Sequence, residues 1–294
     1  VCVGHELVGR VIRIGSQAEG DLKIGDRVGV GGISDSCLNR FGPCEPCSAG
    51  EEQYCPQIKQ TYAGRHFNGS KTMGGHAKYH RCPSHFVYKI PDGVKSEDAA
   101  PLLCGGISMY SPLKRFGCGP GRTVGIIGVG GLGHFGIVIA KALGADRVVG
   151  ISRREAKRQE VLSMGADGYI ATADESDWPT SQNGKFDLLV STVSGADERL
   201  SQYLWLLKRD GVFVQVGNPG EEGLSFSAWP LFMRRITVTG SISGTPSEMR
   251  ELLHLAADKQ LEFWVEKRSM TEANQTMLDM EAGKARYRYV LVNE

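Results

Sequence analysis

Gly125-Ile126-Ile127-Gly128-Val129-Gly130-Gly131-Leu132-Gly133-His134 is the stretch on which the fold turns. Its glycines at 128, 130 and 133 spell G-x-G-x-x-G directly after the apolar run Thr123 to Gly128. A helical pattern follows, with Phe135, Ile137, Val138, Ala140 and Leu143 apolar and Gly144 as its stop signal. In that setting each glycine has a task. The first permits a tight turn, the second lets backbone approach a pyrophosphate, and the third allows close helix packing over amides that face an anion. This predicts a dinucleotide cradle built from Gly128, Gly130, Gly131, Leu132 and Gly133, with a merely structural glycine loop as the alternative.

Working outward, short apolar runs recur at Thr123 to Gly128, Arg147 to Ile151, Gly168 to Ala171, Phe186 to Ser191, Gly211 to Val216 and Ile236 to Gly240, with helical patterns between them. Strands alternating with helices imply a doubly wound parallel sheet of the Rossmann type. The second of these strands ends in Ser152-Arg153-Arg154, where an NAD site carries an acidic residue for the ribose 2′-hydroxyl. Ser152 and Arg153, with Lys157 one helical turn onward, suit a 2′-phosphate instead, so the reading is NADP(H). A solvated basic helix start is the bland alternative.

Residues 1 to about 105 read differently, as an irregular, mainly β region with short runs at Leu7 to Ile14, Arg27 to Val30 and Phe86 to Ile90. After about 244, a helical stretch with Met249, Leu252, Leu253 and Leu255 leads to a final strand near Tyr287 to Val292. We assign this tail back to the first domain. The expected division is 1–106 with 244–294, and 107–243 for the nucleotide domain. The 34 basic and 33 acidic side chains leave a net charge of +1, which excludes the electrostatic footprint of a nucleic-acid binder. No apolar run reaches the roughly 18 residues of a membrane span. Eight cysteines are too few and too uneven for a secreted disulfide framework. Four of them, Cys37, Cys44, Cys47 and Cys55, crowd into the 37–55 lobe, and Cys44-x2-Cys47 has the spacing of two ligands to one tetrahedral ion. A closed set of four sulfurs makes a structural zinc; an iron–sulfur cluster and unliganded or disulfide-paired thiols are the alternatives.

Gly4-His5-Glu6-Leu7-Val8-Gly9, the cysteine lobe, Pro101-Leu102-Leu103-Cys104-Gly105-Gly106, the Gly128 loop and Arg286-Tyr287-Arg288-Tyr289 occur in an order that resembles the cinnamyl alcohol dehydrogenase group of zinc-containing medium-chain alcohol dehydrogenases, including the yeast and fungal NADPH-dependent members. The resemblance covers essentially the whole chain. It implies an α/β protein in which a GroES-like, mainly β catalytic domain joins the Rossmann domain. It makes His5 and Cys104 catalytic zinc ligands, with Glu6 as a ligand or exchangeable neighbour. Taken alone, His5 beside Glu6 is equally readable as an ordinary buried histidine with its partner. Ser108 aligns with a cofactor-contacting hydroxyl, and Arg286 with a basic contact to the cofactor phosphates. Zinc, catalytic and structural, and NADP(H) are thus the implied cofactors.

The implied reaction interconverts primary aromatic or aliphatic alcohols and aldehydes by hydride transfer. The alternatives are an NAD-dependent polyol dehydrogenase of the same superfamily and a non-catalytic NADPH-binding protein. The implied partners are a small-molecule substrate and a second copy in a homodimer, with no nucleic acid or membrane, in the cytoplasm. The sequence departs from the family pattern twice. Another cysteine ligand stands upstream of G-H-E in the family, and the sequence starts at Val1 without it, so we expect an incomplete catalytic zinc site and weak turnover from this chain. Cys37 lies four residues farther from Cys44 than the family spacing, which puts its ligation in doubt. Cys2, placed in a strand before the motif, and Cys82 and Cys118 are read as packed thiols.

Overall fold

The computed structural model describes residues 1–195 and 199–293. They divide into two compact units, 1–107 with 243–294 and 108–242.

In the first unit, β1 (Leu7–Arg10), β2 (Arg27–Val30) and, farther along the chain, a third strand at Val87–Lys89 form an antiparallel sheet in the order given. The strand read from Leu7 to Ile14 ends at Arg10, where its pairing with Arg27 ends, and Ile12 and Ile14 stay exposed. Between β2 and that third strand lie β3 (Ile33–Asp35) and β4 (Lys59–Gln60), an antiparallel pair flanking the lobe, which makes Val87–Lys89 β5. Helix α1 (Glu45–Ser48) lies within the lobe, and α2 (Ser96–Pro101) runs into a π-helical turn, Leu102–Gly106, that carries Cys104. Widened turns of this kind are frequent at functional sites. Helix α3 (Ile107–Arg115) continues from it into the second unit.

The second unit is a six-stranded, all-parallel sheet: β6 (Thr123–Ile127), β7 (Arg147–Ser152), β8 (Gly168–Ala171), β9 (Phe186–Ser191), β10 (Leu207–Gln215) and β11 (Thr237–Gly240). Their spatial order is β11-β10-β9-β6-β7-β8. This is the doubly wound order, with the switch point between β6 and β9, where such sheets bind ligands beyond their carboxyl ends. The helices are α4 (Gly133–Ala142), α5 (Arg158–Ser163), α6 (Trp178–Ser181), α7 (Leu200–Leu206) and α8 (Trp229–Arg234). Strands buried on both faces read as apolar runs, and Ile127, Ile151, Phe186, Leu189 and Phe213 accordingly join Leu204 in one core. Strand β10 begins four residues before the run at Gly211, because Lys208, Arg209 and Asp210 mask its start and a register shift separates Leu207 from Val212.

The chain then returns to the first unit through α9 (Pro246–Asp258), β12 (Val265–Ser269), α10 (Ala273–Glu281) and β13 (Arg288–Val292). Thr245 caps α9 through a reciprocal box with Glu248, and Met249, Leu252 and Leu253 are its buried face. Strand β12, Val-Glu-Lys-Arg-Ser, pairs in parallel with β13 and has no apolar signature to announce it. No helix among the described residues is long and apolar enough to cross a membrane.

Candidate metal and dinucleotide sites

His5 enters just before β1 and Cys104 sits on the π-helical turn, and the fold brings His5 Nε2 to 3.1 Å from Cys104 Sγ. A tetrahedral zinc ligated by both would set these atoms about 3.6 Å apart, so about half an ångström of relaxation admits the ion. Burial pushes the Cys104 thiol up to about 12, the Glu6 charge adds to that, and Arg288 opposes it. An unpaired thiolate is therefore disfavoured here, and a cation is what would stabilise it. Glu6 is engaged elsewhere. One carboxylate oxygen accepts from the Gly105 amide at 3.1 Å, and the other accepts from the Arg288 guanidinium in an ion pair. Glu6 thus joins the entry to β1, the Cys104 turn and β13. Among the described residues, His5, Glu6 and Cys104 do not form a set of three mutually close ligand atoms.

The lobe does form such a set. The sulfurs of Cys37, Cys44, Cys47 and Cys55 all lie within 4.8 Å of one another, with Cys37 to Cys47 at 3.6 Å and Cys44 to Cys55 at 3.9 Å. Four thiolates at the zinc–sulfur distance of about 2.3 Å stand about 3.8 Å apart, so the spacing fits one tetrahedral ion. It is far too long for disulfides, which need about 2.05 Å. The long segment between Cys37 and Cys44 is built to return Cys37 to the group. Leu38 and Asn39 take positive φ, and the Asn39 side-chain oxygen accepts from the Cys44 amide at 2.8 Å. The Arg40 Nε donates to the Cys37 carbonyl at 3.1 Å, and its guanidinium pairs with buried Asp35. Burial raises the Cys37 thiol to about 12. For Cys55 burial also acts upward, but amide donors from Cys37 and Gln57 outweigh it and bring the thiol down to about 7. Besides Cys37 and Cys55, the buried residues of 37–55 are Glu52 and Gln53, so no apolar core holds the lobe.

In the second unit, the loop after β6 has the shape its glycines predict. Gly128 has φ +86°, and a Cβ there would lie 2.8 Å from Thr192 Oγ1. A Cβ on Gly133, the first residue of α4, would lie 2.1 Å from the Gly128 carbonyl oxygen. Gly130, by contrast, has nothing within 4 Å of where its Cβ would project, which leaves backbone accessible to a ligand beside a helix N-terminus. Gly131 and Leu132 complete the turn, half-buried. Ser152 closes β7 and Arg153 follows it, exposed and without an acidic partner among the described residues. Its neighbours are committed: Arg154 pairs with Asp174, and Arg158 with Glu155 and Glu175. Lys157 Nζ donates to the Val129 carbonyl at 2.8 Å, which ties the basic strand end to the glycine loop. The cradle and its neighbouring cations fit an anionic dinucleotide.

Ser108 is half-buried near the start of α3, and Arg286 is exposed before β13, bonded to the carbonyls of Gly283 and Ala285. Cys2 lies in no strand; its chain is held by the Gly74 amide, and its thiol points to the Gly74 carbonyl at 3.3 Å. Cys82 and Cys118 lie outside the metal group, each raised to about 12 by burial. Sequence reasoning missed Arg288 and Tyr62, the latter stacked on the His5 ring. Arg288 is 282 positions from Glu6, and no local pattern links them.

Residues 1–92 match the alcohol dehydrogenase GroES-like domain, and residues 131–258 match the zinc-binding dehydrogenase family. The chain is 41% identical over 293 residues to the NADP-dependent alcohol dehydrogenase 6 of Saccharomyces cerevisiae, covering 99% of this chain and 80% of the yeast protein. A cinnamyl alcohol dehydrogenase from Sorghum bicolor superposes with a TM-score of 0.91 at 33% identity, over 99% of this chain and 81% of that one. A cinnamyl alcohol dehydrogenase from Helicobacter pylori, complexed with NADP(H), superposes at 0.87 with 30% identity over the same shares.

Proposed function

The chain belongs to the zinc-binding alcohol dehydrogenases that carry a GroES-like domain, and from that premise we propose that it interconverts primary alcohols, aromatic or aliphatic, with their aldehydes, using NADP(H). The observation that carries this reading is the convergence of His5 and Cys104 to 3.1 Å across 99 residues of sequence. His5 and Cys104 hold the catalytic zinc, and Glu6 stands beside them as the neighbouring carboxylate. When bound, zinc supplies Lewis-acid polarisation of the substrate oxygen, and the nicotinamide accepts or donates the hydride. Arg288 balances the Glu6 charge next to that centre, and the Gly105 amide holds the carboxylate against the Cys104 turn.

The amides around Gly130 and the N-terminus of α4 receive the pyrophosphate. Ser152, Arg153 and Lys157 receive the 2′-phosphate, with Ser108 and Arg286 as further cofactor contacts. Cys37, Cys44, Cys47 and Cys55 hold a second, structural zinc, which stands in for the apolar core that the lobe lacks. None of the eight cysteines is paired in a disulfide, which supports a reducing, cytoplasmic setting. A homodimer is supported by the edge strand β11, unpaired on one side among the described residues, and by the exposed apolar face of α8 that leads into it.

The test follows NADPH oxidation with an aromatic aldehyde, using protein expressed from its full open reading frame. Cys104→Ala should lower turnover at least a hundredfold while NADPH still binds with unchanged affinity. A variant that turns over like the unmodified protein sinks the assignment of Cys104 and the zinc reading with it.

A further inference from the structure

The His5 imidazole meets a second ring. Tyr62 lies stacked on it, with centroids 5.7 Å apart and planes inclined by 21°, within the range of offset aromatic pairs. The position of Tyr62 is set by its neighbour. The amide of buried Thr61 donates to the Gly32 carbonyl at 3.0 Å, and its hydroxyl donates to the Gly31 carbonyl at 2.5 Å. Gly32 also comes close to the imidazole: a Cβ built on it would lie 3.4 Å from His5 Cδ2. The residues following β2 and the Thr61-Tyr62 segment therefore form a hydrogen-bonded bracket around one histidine ring.

We infer that Tyr62 is a positioning residue, whose ring fixes the His5 imidazole with Nε2 directed at Cys104 Sγ before the metal arrives. The torsion that turns an imidazole about its bond to Cβ is broad and weakly restrained by itself. A ring left free must lose that freedom on binding zinc, whereas one already stacked has lost it. The contact is made by the ring, so the phenolic hydroxyl is dispensable and phenylalanine preserves the function. This inference rests on the reading of His5 and Cys104 as zinc ligands.

The experiment uses the full chain, labelled with 15N in its histidines and titrated with zinc. The lobe set contains no histidine, so the His5 Nε2 resonance reports the catalytic position alone. In the unmodified chain this resonance should shift on zinc addition. Tyr62→Phe should keep the midpoint within about twofold, and Tyr62→Leu should raise it about tenfold, the lower end of what outer-shell partners contribute to metal affinity. Zinc retention by the lobe thiols and NADPH binding, both unchanged, would show that the leucine variant is folded. A leucine variant that titrates like the unmodified chain overturns the positioning role and leaves the zinc reading standing. Failure of His5 to respond to zinc in the unmodified chain overturns both.

Discussion

Arg153 is the residue on which the proposed 2′-phosphate site can be tested most directly. Three arginines crowd the start of the helix after β7; Arg154 and Arg158 are neutralised by Asp174, Glu155 and Glu175, while Arg153 has no such partner among the described residues. A guanidinium free of carboxylates is available to a phosphate, and a charge-assisted hydrogen bond contributes about 1.5–3 kcal/mol. Arg153→Ala should therefore weaken NADPH binding by about 10- to 100-fold and leave NADH binding within about twofold, as read from nicotinamide fluorescence. Equal losses for both cofactors would move Arg153 from 2′-phosphate recognition to general support of the site.

At the scale of elements, the parallel sheet is joined by a carboxylate. Asp187, on β9, accepts from the Thr123 amide at the start of β6 and from Lys208 Nζ on β10, both at 2.8 Å. Burial, the largest single influence, pushes its carboxyl up, but Lys208, the Thr123 amide and Arg122 together outweigh it and hold the pKa below the ordinary value. Folding therefore gains stability above the unfolded carboxylate pKa of about 3.9, and loses it as pH falls through the lower folded value. Asp187→Asn should cost about 1–3 kcal/mol at neutral pH, and the difference from the unmodified chain should shrink below about pH 4. Urea titrations at pH 7 and pH 3.5 measure this, and a gap that is constant with pH would exclude the ion pair as its source. The lobe makes the complementary case: its four cysteines were legible as a metal-ligand set, but the bonds that secure the return of Cys37 were not. That return depends on Asn39 and Arg40, whose bonds reach Cys44, Ser48, Asp35 and the Cys37 carbonyl.

For the whole molecule, self-association is the property on which surface composition bears most directly. Trp229, Phe232 and Met233 of α8 are 64%, 73% and 64% exposed, and the following strand, β11, ends the sheet. Exposed apolar groups beside an open strand edge are the ingredients of a protein interface. Phe232→Glu should convert a dimer to a monomer in light scattering at micromolar concentration, without altering NADPH affinity. A chain that is monomeric before the substitution, or dimeric after it, rejects this face.

The Rossmann unit was determined by the sequence itself, because its requirements are local. A glycine with positive φ at 128, a missing Cβ at 133 where 2.1 Å separates it from a carbonyl, and apolar runs buried on both faces all leave marks on contiguous residues. The four candidate ligands of the lobe were legible for the same reason, being confined to 37–55. The first unit gave less away. Leu7 to Ile14 carried a strand pattern that partner length cut short, and β12 carried none, because two-stranded pairing at an edge needs no apolar alternation. His5 and Cys104 were nominated as ligands by resemblance; the chain's own pattern left His5 open to the alternative of an ordinary buried histidine. Only the tertiary structure decided that Nε2 and Sγ meet, that Glu6 is held by Gly105 and Arg288, and that Tyr62 lies on the imidazole. The physical reason is sequence separation: contacts spanning 99 and 282 residues are made by packing, which no local periodicity encodes.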